Sequence, residues 1–354
     1  MRNMYEQGVI RPPSEASSLL IRVTRNCPWN QCLFCPAYKG VKFSKRTVEE
    51  VKQDIDSMAD ELSETSGVRT AFLQDADSLI LSADDLIAIL DHLKEKFPKI
   101  NRITTYARAR TLSHKSVDDL KRLKQAGLTR IHTGMESGSE KVLQMIKKGM
   151  TPEEMVTGGR HVMEAGIELS EYIMPGIAGQ ALSEEHAIKT AELLNLIRPH
   201  FIRVRTFAMH PQSPMQKMVT EGTFLPLTDD EIVAEIRLLV DHLDRMHSYF
   251  SCNDFSLNLL MQVDGYLDEK KESMLNELDA YLSLTKRQRQ VYTLLHYSGY
   301  GRNPLSVVTD QNVLDRVVPE IEKLEKAGGE HGFDEYIRRL KTFQLPQPQT
   351  DHWC

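Results

Sequence analysis

Three of the chain's five cysteines fall within nine residues: Cys27, Cys32 and Cys35, in the run Arg25-Asn-Cys-Pro-Trp-Asn-Gln-Cys-Leu-Phe-Cys-Pro36. Thiols grouped this closely serve metals more often than they serve disulfides, and they suit a reducing compartment. Three thiolates are the supply for an iron–sulfur cluster that leaves one iron open, and an open iron can bind a substrate or cofactor directly. A zinc site would ask for a fourth Cys or His near at hand. His114 and His132 are distant in sequence, so folding would have to bring one of them in.

The rest of the chain must present such a loop. Short apolar and β-branched runs at 19–24, 69–74, 102–106, 130–133, 167–174 and 201–207 alternate with long amphipathic segments. Strands buried on both faces of a parallel sheet read this way. Helix starts are marked by Thr47 with Glu50 and Thr228 with Glu231, both capping-box patterns, and by Thr151-Pro152-Glu153-Glu154 with proline at the first helical position. Ile232, Ile236, Leu239, Leu243 and Met246 form one apolar stripe of a further helix. Six strand-then-helix units imply a parallel sheet with right-handed crossovers. The expected class is α/β, a partial (β/α)6 barrel of TIM type over residues 19–247. A short extension (1–18) precedes it. A mostly helical C-terminal domain or lid (248–354) follows, with loops near 299–304 and 328–332 and an extended tail from 344.

Composition narrows the function classes. With 354 residues, 41% hydrophobic and 27% charged, the chain is long enough for one barrel-sized domain plus an appendage. A formal charge of −6 argues against general nucleic-acid affinity. No apolar run reaches bilayer-spanning length, and the first residues lack the apolar core of a signal peptide, so a cytoplasmic protein without membrane partners is expected.

In barrels of this kind the loops after the strands form the catalytic face, and the cysteine loop follows the first strand. The second strand ends in Leu73-Gln74-Asp75-Ala76-Asp77-Ser78, the fourth in His132-Thr133-Gly134-Met135-Glu136-Ser137-Gly138-Ser139 and the fifth in Tyr172-Ile-Met-Pro-Gly176-Ile-Ala-Gly179. Gly158 and Gly159 sit inside a predicted helix just before Arg160, at a cost of about 2 kcal/mol against alanine, which points to close packing or to a cofactor edge.

These segments, over roughly residues 17–210, resemble the radical S-adenosylmethionine (radical SAM) superfamily. The branch is the one holding methylthiotransferases, elongator-type proteins and coproporphyrinogen-oxidase-like proteins. Most members space their cysteines C-x3-C-x2-C; this chain has C-x4-C-x2-C, the extra residue lying in Pro28-Trp29-Asn30-Gln31. The resemblance implies a [4Fe–4S] cluster on Cys27, Cys32 and Cys35 and S-adenosylmethionine (SAM) on the open iron. It implies Phe34 against adenine, and Asp75 and Asp77 near the amino group of the cofactor. Glu136 and Ser137 would meet its ribose or methionyl groups, and the turn from Gly176 to Gly179 would lie close to adenine. Tyr106, Arg108 and Arg160 are candidate cofactor contacts, and Arg203, Arg205 and His210 candidate substrate contacts. Asp and Ser also favour turns, either Ser137 or Ser139 would cap the next helix, and strand-end arginines often pair with structural acids.

The activity implied is reductive cleavage of SAM to a 5′-deoxyadenosyl radical that removes hydrogen from a substrate, with electrons from a flavodoxin or ferredoxin. A cluster- and SAM-binding delivery protein like the haem chaperones is the alternative. The sequence shows neither the N-terminal cysteine-bearing segment of tRNA methylthiotransferases nor a cobalamin-binding segment, so a small-molecule substrate is expected. Residues 284–295 superficially resemble the first helix of a helix-turn-helix, but an amphipathic helix with a basic exposed face explains them as well. Cys252 and Cys354 lie too far apart to announce a second cluster, and one of them is expected to be buried.

Overall fold

The computed structural model describes residues 5–8, 10–62, 67–299 and 303–342. The fold is α/β on a mostly parallel sheet of eight strands taken in chain order. The strands are β1 (Leu19–Arg22), β2 (Thr70–Gln74), β3 (Arg102–Tyr106), β4 (Leu128–Glu136), β5 (Glu168–Ile173), β6 (Phe201–Val204), β7 (Tyr249–Ser251) and β8 (Asp264–Tyr266). The first six are the strands anticipated from the sequence. Among the described residues no strand pair closes the sheet into a ring.

Helices α1 (Val48–Glu61), α2 (Ala83–Lys96), α3 (Val117–Ala126), α4 (Pro152–Glu164), α5 (Gly179–Ile197) and α6 (Asp229–His242) follow β1 to β6 in turn. The expected caps form. Thr47 Oγ1 accepts the Glu50 amide (3.1 Å) while Glu50 Oε2 accepts the Thr47 amide (2.7 Å), and the same box starts α4 and α6. Each cap contributes about 1 kcal/mol by satisfying amides that the first helical turn leaves unpaired.

The chain divides into two compact units. One comprises residues up to Met135 together with Lys147–Tyr172; the other comprises Glu136–Ile146 and residues from Ile173 onward. In the first, β1, β2, β3 and β4 pair in parallel, with Leu20, Ile21, Ala71, Phe72, Leu73 and Ile103 buried. Val51, Ile55 and Met58 of α1 and Leu86, Ile89, Leu90 and Leu93 of α2 are buried there too. Gly158 of α4 has a packing role: a Cβ there would stand 2.6 Å from the Ala109 carbonyl oxygen and 3.0 Å from Leu112 Cβ, on the short helix Ala109–His114.

In the second unit β7 lies parallel to β6 and β8 antiparallel to β7. The sequence did not announce either, because three residues are too few for a periodic pattern. Residues just past the expected 247/248 boundary therefore join the sheet. Helix α6 stops at His242; Leu243 and Met246, expected on its stripe, lie beyond its end and are nonetheless buried. The helices α7 (Leu267–Leu282), α8 (Lys286–Tyr297), α9 (Gln311–Gly328) and α10 (Gly332–Thr342) complete the unit. Residues 300–302 of the expected loop near 299–304 and the whole tail from 344, with Cys354, lie outside the described residues. No helix among the described residues is long and apolar enough to cross a membrane.

Candidate cluster and cofactor site

In the first unit, β1 ends at Arg22 and the chain turns into the cysteine loop. Asn26 (φ 68°) and Asn30 (φ 48°) take the left-handed backbone region, which asparagine tolerates better than most residues. Their side chains tie the loop down. Asn26 Nδ2 donates to the Lys42 carbonyl (2.6 Å), and Asn30 Nδ2 donates to the Tyr38 carbonyl. Cys27, Cys32 and Cys35 form no disulfide and are half-buried. Cys27 Sγ accepts the Asn30 amide at 3.4 Å.

The Cys35 thiol is pushed up to about 11, first by burial and then by the Cys32 and Cys27 sulfurs; the Ala37 N–H and the Lys148 ammonium pull the other way. A buried thiol such as Cys35 gives up its proton readily to a metal ion that replaces it. Among the described residues no three His, Cys, Asp or Glu side chains are arranged around a single metal ion. A cubane asks for something different, one thiolate per iron, and this loop offers three.

The loop's spacer has an anchor. Trp29 Nε1 donates to the Lys147 carbonyl (2.7 Å), and the indole lies so close to Gly149 (φ 70°) that a Cβ there would stand 2.2 Å from Trp29 Cε2. The Arg108 guanidinium stands 5.4 Å from the centre of the Trp29 ring and donates to the Gly149 carbonyl (3.0 Å). Lys148 Nζ stands 5.6 Å from the centre of the Phe34 ring. The additional residue of the C-x4-C spacing thus belongs to a segment that plugs onto the Lys147–Gly149 turn. Sequence reading placed Arg108 and Phe34 here but missed Trp29 and Lys148, whose partners lie more than a hundred residues away or carry no motif of their own.

Asp75 and Asp77 are both buried. Asp75 Oδ2 accepts Arg22 Nε (3.0 Å) and the Asn26 amide (2.9 Å), while Asp75 Oδ1 has no hydrogen-bond partner. Burial raises the Asp75 carboxyl above its ordinary range against the pull of Arg22. The Gly8 backbone covers Asp75: a Cβ on Gly8 would stand 1.9 Å from Oδ1. Asp77 uses both oxygens to hold the segment after β3, accepting the Arg108 amide (3.2 Å) and the Thr111 hydroxyl (2.5 Å). Burial raises it to about 6. Tyr106 packs edge-on against Phe72 and His132, with ring centroids 5.1 and 5.9 Å away. Arg160 is exposed on α4.

In the second unit, Glu136 is buried and takes φ 61°, a region that favours glycine, and its carbonyl accepts the Met174 amide (3.0 Å). Such strain persists only where surrounding contacts enforce it, and it is commonest at ligand sites. Ser137 is buried, and its Oγ accepts the Ser139 amide (3.0 Å). Of the two candidates, Ser139 is the helix cap, accepting the Val142 amide (3.3 Å). Gly176 (φ 88°) and Gly179 (φ 64°) form a tight turn; a Cβ on Gly179 would meet Phe224 at 2.8 Å. Arg205 pairs with Asp254 (2.8 Å) and Arg203 lies over Phe201, 5.3 Å from the ring centre. His210 is buried, its Nδ1 accepting the Gln212 amide (3.1 Å). Cys252 is buried with its thiol pushed well up, as an inert core cysteine would be.

Residues 21–193 match the family model of the radical SAM superfamily. The chain is 26% identical over 182 residues to an uncharacterized methyltransferase of Pyrococcus horikoshii, a stretch covering 50% of this chain and 37% of that one. It is 26% identical over 175 residues to the heme chaperone HemW of Bacillus subtilis, covering 49% and 45%. The match thus spans less than half of either relative. Among solved structures, the cobalamin-dependent S-adenosylmethionine radical enzyme OxsB aligns with a TM-score of 0.50 and 15% identity over 92% of this chain and 53% of that one, a likeness of fold. The fold, the cysteine loop and the family match agree: residues 21–193, just under half of the chain, are similar to the radical SAM superfamily.

Proposed function

We propose that this protein is a radical SAM enzyme, with Cys27, Cys32 and Cys35 holding a [4Fe–4S] cluster and SAM completing the fourth iron. The observation that carries the reading is the loop of three cysteines within nine residues after β1, held in shape by its own asparagines. Bound there, a reduced cluster would supply the electron for reductive cleavage of SAM and so the radical chemistry that removes hydrogen from a substrate.

The chain's own residues prepare that chemistry. Asn26 and Asn30 hold the thiols in their loop without metal. Trp29, clamped on Gly149, keeps the spacer from collapsing over them. Phe34 offers an apolar face for adenine, with Lys148 beside it to balance the thiolate charge. The strained Glu136 presents its carboxylate from a backbone that few residues adopt. Gly176, which lines a cavity, leaves its wall without a side chain where a ligand would approach. The substrate is a small molecule in this reading, and the electron donor a flavodoxin or ferredoxin.

The test is anaerobic reconstitution with iron and sulfide. The expected result is broad visible absorption that bleaches on reduction, and release of 5′-deoxyadenosine with SAM and reductant. An intact cluster that releases none, together with stoichiometric haem binding, would overturn the catalytic reading in favour of a delivery protein.

A further inference from the structure

The second unit contains a buried polar relay that the proposed chemistry does not use. Glu235 of α6 is buried with no Lys or Arg partner among the described residues. Its Oε1 accepts the Gly176 amide (2.7 Å), its Oε2 accepts the Ser183 hydroxyl, and Oε1 stands 3.6 Å from His186 Nε2, a polar contact with no hydrogen bond between the two. His186 of α5 is fully buried, and its Nδ1 lies 2.8 Å from Ser137 Oγ and 3.4 Å from Thr190 Oγ1. Thr190 Oγ1 in turn accepts the Gly138 amide (2.9 Å). The tautomer that suits an ionised Glu235 carries its proton on Nε2, facing the carboxylate, and accepts at Nδ1.

A carboxylate and an imidazole buried without a cation cost several kcal/mol that an apolar pair would avoid. What the arrangement obtains is a physical link between two turns: one end is the Ser137–Ser139 segment after β4, the other the Gly176 turn after β5. The first turn needs outside support, because Glu136 holds a positive φ that only glycine adopts freely. The far side of the Gly176 turn is open. Gly176 lines a cavity of about 550 Å3 with Phe207, Met209, Pro226 and Ile232, so the backbone that Glu235 grips is a cavity wall.

We infer that Glu235 and His186 are positioning residues: through one buried relay they hold the Ser137 and Gly176 turns at the separation that SAM binding requires. The inference rests on the reading that this protein binds SAM. Neither residue touches the cofactor; each acts through the turn it grips.

The test compares reconstituted wild-type protein with E235A, E235Q, H186Q and L278A, the last a core truncation of α7 in the same unit. SAM affinity is measured by calorimetry, iron per chain by chemical assay, and amide exchange at Gly138, Ser139 and Gly176 by mass spectrometry on protein without SAM. E235A is expected to bind SAM at least tenfold more weakly at unchanged iron content, and to speed exchange in both turns. E235Q keeps an oxygen acceptor for Gly176 and is expected within threefold of wild type. H186Q, which spares the Gly176 contact, is expected to weaken SAM five- to tenfold and to speed exchange at Gly138 and Ser139 alone. SAM affinity within twofold of wild type in both E235A and H186Q, or a loss in L278A as large as in E235A, overturns the inference. If E235A does not fold, H186Q and its exchange pattern decide. Wild-type protein that binds no SAM would sink the functional reading and this inference together, whereas unchanged binding in the variants sinks the inference alone.

Discussion

Asp77→Asn separates a structural acid from a cofactor ligand. Asp77 is buried, with both oxygens taken by the Arg108 amide and the Thr111 hydroxyl, and its carboxyl is raised to about 6 from an ordinary 3.8. A carboxyl whose folded value is raised holds its proton more tightly in the native state. Its contribution to stability is therefore fully present below pH 3.8 and is lost as pH rises through 6. At about 1.4 kcal/mol per pH unit, the loss is about 3 kcal/mol. Asparagine fills the same space and accepts the same amide without titrating. The melting temperature of D77N relative to wild type is therefore expected to climb between pH 4 and pH 7.5. A unit of 150–250 residues shifts by about 2–4 °C per kcal/mol, so the climb is about 6–12 °C. Scanning calorimetry of the metal-free protein in matched buffers reads it, and other titrating groups cancel in the difference. A difference flat to within 2 °C would mean that the carboxylate is solvated and that the burial reasoning is wrong. SAM affinity of D77N is expected within threefold of wild type; a tenfold loss would return Asp77 to the cofactor.

Other outcomes follow from particular contacts. C32A is expected to lose visible absorption and cluster iron after reconstitution, read by spectrum and metal assay. G149A must displace the Trp29 indole and hold alanine at positive φ, an expected loss of about 2–4 kcal/mol in urea unfolding with a red shift of tryptophan emission. Adding W29A to that variant should recover part of the loss. G138A would set a Cβ 2.3 Å from the Lys189 carbonyl oxygen, a backbone atom that cannot swing away, so its melting temperature should fall well below wild type. Iodoacetamide on native, metal-free protein is expected to modify Cys27 and Cys32 well ahead of Cys35, whose burial holds its proton, and to leave Cys252 unmodified until denaturant is added, as peptide mapping would show.

Local pattern carried much of the fold into view. β3 runs over Arg102–Tyr106 as its β-branched residues indicate, and α1, α4 and α6 start where their threonine caps say. The end of α6 was not legible, because Leu243 and Met246 are buried whether or not the backbone stays helical. In the site, the cysteines and Phe34 stand out because their meaning lies in near spacing. Asp75 and Asp77 look alike in a turn, and only their partners tell them apart. Lys148, Glu235 and His186 carry no motif. Their roles arise from contacts between residues far apart in the chain, and a single sequence reports nothing of such distance.

The seat of Gly8 on Asp75 has a practical side for anyone handling this protein. The backbone amide of Gly8 donates to Gln74 Oε1 (2.9 Å), so the leading residues are stitched across the mouth of β2 and shield a carboxylate oxygen that has no other company. Affinity tags belong elsewhere, and shortened versions that start after Ile10 would let water reach Asp75, lowering its proton affinity and loosening its hold on Arg22 and Asn26.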